Sequence, residues 1–126
     1  APRQEQVHAL LTALAKGERG AALAAIEKAA KAGVDMRLYL ELVLEALRAI
    51  LLIRFAPDLR DALLAEHGAD EFSALEKLSH PNERPPRSFI KHTALLAFLT
   101  AAERVRYAPI PALPLELAVF ELFADA

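Results

Sequence analysis

The side chains able to do chemistry in this 126-residue chain are few and scattered. Its four histidines, His8, His67, His80 and His92, lie far apart. None stands in an HExxH pattern, which would put two imidazoles and a general base on one helix face. Glu66-His67 reads as a surface pair at a helix end, where an imidazole meets the terminal carbonyls. Glu41 and Glu45 form a carboxylate pair at helical spacing, but Arg37 and Arg48 share their stripe, so ion pairing is a simpler reading than acid–base work. Ser73 and Ser79 have no His and Asp placed as a nucleophile arrangement requires. The four glycines are too dispersed to build a phosphate-cradling loop. The absence of Cys removes thiol and thiolate–metal chemistry and suits a cytosolic protein. We therefore assign no catalytic, cofactor-binding or metal-ligating residue and read the chain as a non-enzyme.

Charge narrows the partners. A net charge of −2 provides no global basic field for nucleic acid. Arg84, Arg87 and Lys91, with Phe89 among them, make a small basic cluster of a kind common on soluble surfaces. The longest stretch without a charged residue, 92–102, falls well short of the roughly 20 apolar residues of a membrane span. Neither nucleic acid nor membrane is expected as a direct partner.

The elements that would position a site are helices. The chain holds 27 Ala and 23 Leu against only 13 Val, Ile and Thr combined, a balance that favours helix over strand. An all-α, single domain over residues 1–126, built as a bundle of about six helices, is expected. Gly and Pro fall between the apolar periodic stretches. The first helix, 3–16, places Val7, Leu10, Leu11 and Leu14 on one stripe; the second, 19–32, buries Leu23, Ile26 and Ala30. A long helix over 35–56, capped by Asp35, is apolar round most of its circumference and must be central. A short helix after Pro57 uses Leu59, Leu63 and Leu64, and another, capped by Asp70, carries Phe72, Leu75 and Leu78. After the linker from His80 to Pro86, a helix over 88–107 shows two apolar stripes, Leu95, Leu96, Leu99 and Ala102, and Ala94, Phe98, Ala101 and Val105. A last helix opens at Pro114, its stripe being Leu115, Val119 and Leu122 flanked by Phe120 and Phe123.

Apolar content exceeds what the solvated stripes balance, above all on the helices at 35–56 and 88–107. The face of the latter holding Thr93, Ala97 and Thr100 carries no charge until Arg104, and small residues let another helix approach closely. Thr93, Ala97, Thr100, Arg104 and Tyr107 are the candidate subunit interface.

The ordered blocks extend this reading. Glu103-Arg104-Val105-Arg106-Tyr107-Ala108-Pro109 followed by Leu113-Pro114-Leu115-Glu116-Leu117-Ala118 resembles the end of the third domain of the bacterial DNA polymerase III gamma/tau subunit. Gly17-Glu18, Gly33-Val34-Asp35 and Leu44-Glu45-Ala46-Leu47-Arg48 are similar to its earlier helices, while the Pro81–Pro86 linker departs from the pattern. The resemblance covers nearly the whole chain. It implies a non-catalytic collar that associates with copies of itself and with the delta and delta-prime subunits of the sliding-clamp loader. ATP, Mg and Zn would then be bound only in preceding domains of a longer AAA+ parent. The start at Ala1, with Met36 the sole methionine, fits such an excised piece. A free-standing helical adaptor for a partner helix or peptide is the alternative. A small helical enzyme would instead need an enclosed cavity lined by His and Glu.

Overall fold

Helices stop here where the backbone turns left-handed. In the computed structural model, which describes residues 2–80 and 87–124, α1 (Pro2–Lys16) ends at Gly17, whose φ is 69°. The Glu18 N–H reaches back to the Ala13 carbonyl at 2.9 Å and the Gly17 N–H to that of Leu14 at 3.2 Å, closing the helix in a Schellman turn. A side chain at Gly17 would also put its Cβ 2.7 Å from the Arg87 carbonyl oxygen, so glycine is required twice over. The same double bond pattern closes α2 (Arg19–Lys31) at Gly33. The short connection folds α1 and α2 into a hairpin.

Asp35 starts α3 (Met36–Phe55) by accepting the Arg37 and Leu38 backbone N–H groups at 2.8 and 3.2 Å. A 3₁₀ turn, Pro57–Leu59, leads into α4 (Arg60–His67), and α5 (Ala69–Ser79) follows directly. The residue that begins α5 is Gly68, not Asp70 as the sequence predicts; Asp70 lies in the first turn, where the helix dipole still favours an anion. The helix predicted over 88–107 is shorter. The Phe89 N–H bonds to the Leu14 carbonyl at 2.8 Å and the Ile90 N–H to Ser88 Oγ at 3.1 Å, which holds that stretch out of helix. Consequently α6 spans His92–Arg104, and Val105–Tyr107 continue as a 3₁₀ turn before α7 (Leu113–Leu122). Seven helices result among the described residues, with no strand.

Three helix pairs, α1–α2, α4–α5 and α6–α7, surround α3. Nine α3 residues are buried, among them Tyr39, Leu40, Val43, Leu47 and Ile50, so the central role inferred from its apolar circumference holds. Partner helices supply Leu10, Leu11, Leu14, Ile26, Leu75, Phe98 and Leu115. On α2 the buried face is Ala22, Ala25, Ile26 and Ala29; Leu23 is half-buried and Ala30 exposed, because a face of alanines lets α1 come closer than the predicted stripe would. On α4 only Leu63 is buried, while Leu59 and Leu64 face solvent.

Few polar groups enter the interior, and most are tied. The Tyr39 hydroxyl donates to the Gln6 carbonyl at 2.9 Å, bolting α3 to α1. Arg54, half-buried, donates through Nε to the Ser79 carbonyl at 2.7 Å and through Nη1 to that of Ile90 at 2.8 Å. One guanidinium thereby clamps the end of α5 to the approach to α6. Arg60 pairs with Glu76 across α4 and α5.

Candidate functional site

Two regions of the surface combine features a site would need, and the first is polar. Gln4, Glu45, Glu66, His67 and Glu71 line a cleft of about 240 Å³ between α1, α3, α4 and α5. His8 Nε2 lies 2.7 Å from Glu71 Oε1, and Gln4 Nε2 donates to the other oxygen at 2.5 Å. His67 Nε2 meets Glu66 at 3.5 Å, the helix-end pair the sequence predicts. Glu71 is thus spent on fastening α5 to α1. No group of three metal-competent side chains converges among the described residues. Glu41 and Glu45 stand exposed on α3, but the expected ion pairs to Arg37 and Arg48 do not close within 4.0 Å among the described residues. At that distance in water, an exposed pair gains too little to hold two long side chains still.

The second region is the outer side of α6 and α7. Ala94, Phe98 and Ala101 turn α6 inward, as one predicted stripe requires. The other does not hold: Leu95 and Ala102 are only half-buried, and Leu96 and Leu99 are 58% and 50% exposed. Helical spacing explains the split, because a stripe this wide cannot all face the core once Phe98 defines its centre. On α7, Leu115, Ala118 and Val119 go inward, while Leu113, Leu117 and Phe120 point out. These three stand at i, i+4 and i+7, one face of the helix. Pro114 fixes the first turn and Glu116 favours its dipole, so the helix begins where its sequence dictates.

Thr93, Ala97 and Thr100 line one groove of about 440 Å³ with Leu96, Glu121 and Leu122. The Thr100 hydroxyl turns back onto the Leu96 carbonyl at 3.1 Å, which leaves its methyl group for the groove. Three of the five candidate interface residues are therefore brought together. Arg104 is exposed at the end of α6, and Tyr107, 78% exposed, borders a different groove with Arg37, Glu41 and Arg106. The outward row of Leu113, Leu117 and Phe120 is absent from the sequence-based candidates. Its signal was available: within Leu113–Leu122 only Pro114, Glu116 and Glu121 are not apolar, so the apolar residues cannot share one side.

Of the basic cluster, Arg84 lies outside the described residues together with the rest of 81–86. Arg87 is already engaged, and Lys91 stands exposed at the N-cap position of α6 without a side-chain bond to the helix end. No helix among the described residues is long and apolar enough to cross a membrane.

Among known proteins, no curated sequence and no solved structure matches the chain. The family model described as DNA polymerase III subunits gamma and tau domain III matches residues 2–126, and the chain belongs to that family.

Proposed function

We propose that this clamp-loader domain is a non-catalytic oligomerisation module that holds subunits of a DNA replication machine together. The observation that carries the reading is the set of large apolar side chains left exposed on the last helix pair, Leu96 and Leu99 of α6 and Leu113, Leu117 and Phe120 of α7. So many large apolar side chains in solvent on two neighbouring helices mark an association surface. Thr93, Ala97 and Thr100 offer, between the two helices, a shallow floor on which a partner helix can sit closely. Arg104 is exposed at the end of α6, whereas Tyr107 borders the neighbouring groove with Arg37 and Arg106 and is not part of this floor. The partners are further copies of the chain and the delta and delta-prime subunits. ATP, magnesium and zinc belong, on this reading, to domains of the parent that precede this one, and the work is done in the cytoplasm.

Sedimentation of the chain alone and mixed with delta or delta-prime tests this. Association is expected, and Ala97→Glu weakens it while helicity stays unchanged. A strict monomer at high concentration that binds neither subunit contradicts the proposal. Global unfolding of Ala97→Glu would instead return that face to the domain's own core.

A further inference from the structure

The α4–α5 pair is joined to the bundle differently at its two ends. Its base lies at the end of α3. The chain enters the pair at Pro57, directly after Ala56 caps α3, and leaves it at Ser79, whose carbonyl is held by Arg54 of α3 at 2.7 Å. Its tip is the turn at Gly68, where φ is 85° and nothing lies within 4 Å of the space a Cβ would take. Just past that turn, Glu71 is held by His8 and Gln4 of α1, at 2.7 and 2.5 Å. At 1.5 Å per residue, roughly 12 Å of α5 separates Glu71 from Ser79.

Internally the pair is braced. Arg60 of α4 pairs with Glu76 of α5, and its guanidinium lies 4.8 Å from the centre of the Phe72 ring. Little burial ties the pair to its surroundings. From Pro57 to Ser79 only Leu63, Phe72, Leu75 and Ser79 are buried, against nine residues of α3 alone. Towards the tip, the cleft of about 240 Å³ already parts the pair from α1 and α3, with Val7, Leu42 and Ala46 in its lining. A unit braced within, lightly buried and parted from its neighbours at one end opens before the rest of a domain does.

We propose that α4 and α5 form a flap that opens as one unit about its base at Arg54 and is latched near its tip by Glu71. Release of the Glu71 carboxylate from His8 and Gln4 lets the tip rise, and the cleft widens onto Leu42 and Ala46 of α3. Arg54 keeps the Ser79 carbonyl, so the base stays in place and the remaining helices keep their packing. The flap packs on α3 and, through Glu71, on α1, whereas the exposed leucines of the association surface stand on α6 and α7. Opening of the flap therefore does not depend on the oligomerisation reading, and neither stands or falls with the other.

Native-state hydrogen exchange of the full chain, read by mass spectrometry in urea below the unfolding transition, tests this. Helices of 8 and 11 residues keep little structure once undocked, so their amides report the opening. In the wild type, α4 and α5 should exchange together, faster than the slowest amides of α3 and with a smaller dependence on urea than global unfolding. Glu71→Ala should speed both helices by about tenfold and to the same extent. Ile26→Val, in the buried face of α2, should speed the slowest amides of α3 several-fold and leave α4 and α5 unchanged, because Ile26 stays buried when the flap opens. Circular dichroism checks that each variant folds, and the wild-type comparison needs no variant. If α4 and α5 exchange only with α3, if they open separately, or if Ile26→Val speeds them as much as it speeds α3, there is no flap. Unchanged exchange of both helices in Glu71→Ala would overturn the latch.

Discussion

Helices α3 and α7 share an unusual composition and meet opposite fates. Both are apolar round most of their circumference, which ordinarily means burial on every side. α3 receives that cover: α1, α2, α4, α5 and α6 all pack on it, and Phe55, at its last residue, is its one large apolar side chain left exposed. α7 is packed mainly by α6 and α2, with the Val105–Tyr107 turn also against it, and its outer side shows Leu113, Leu117 and Phe120 to solvent. Equal apolar content thus serves two ends, a core in one helix and a contact surface in the other. Position in the bundle, and not composition, decides which.

Truncations separate the two roles. Leu47 of α3 is fully buried, and Leu47→Ala should cost about 2–5 kcal/mol in urea unfolding through lost burial and the cavity left behind. A loss below about 1 kcal/mol would mean that α3 is less central than its packing indicates. Tyr39→Phe should cost about 0.5–1.5 kcal/mol at neutral pH, because the buried hydrogen bond from its hydroxyl to the Gln6 carbonyl is lost. It should also flatten an alkaline transition. Burial raises the Tyr39 hydroxyl above its usual range, so the fold keeps it protonated. The stability this represents is intact below about pH 10 and is lost as the pH climbs past that value. Wild-type and Tyr39→Phe unfolding curves that fall in parallel above pH 10 would show that another group governs the loss. Leu117→Ala on α7, by contrast, should change unfolding stability by no more than about 0.5 kcal/mol. A core-sized loss there would place α7's outer side inside the domain's own packing.

Much of this was legible in the sequence because helices announce themselves by period and punctuation. The stripe of Val7, Leu10, Leu11 and Leu14 is buried as its spacing requires, and Gly17 and Gly33 close their helices. What period alone does not fix is which side of an over-apolar helix meets a neighbour. Leu96 and Leu99 matched a core stripe as well as Phe98 did, and only the docking of α6 decided between them. Likewise Leu23 and Ala30 gave way to a face of alanines once α1 had approached. The start of α6 was hidden for a different reason: the bond from Phe89 to Leu14 is long-range, and no local pattern encodes it. Of the candidate interface, Thr93, Ala97 and Thr100 come together because they share a helical face, whereas Tyr107 lies past the end of α6, where the backbone tightens and turns it elsewhere. The α7 row was missed because its inward and outward leucines look alike in one dimension.

The central claim, that the outer side of α6 and α7 is an association surface, is tested most directly by sedimentation equilibrium of the wild type beside Phe120→Glu. Phe120 is 49% exposed, so the substitution leaves the core intact. The account predicts concentration-dependent association of the wild type that drops at least about tenfold in affinity for the variant, with the same helicity. Equal association of the two proteins, or a wild type that stays monomeric at every concentration, would contradict it.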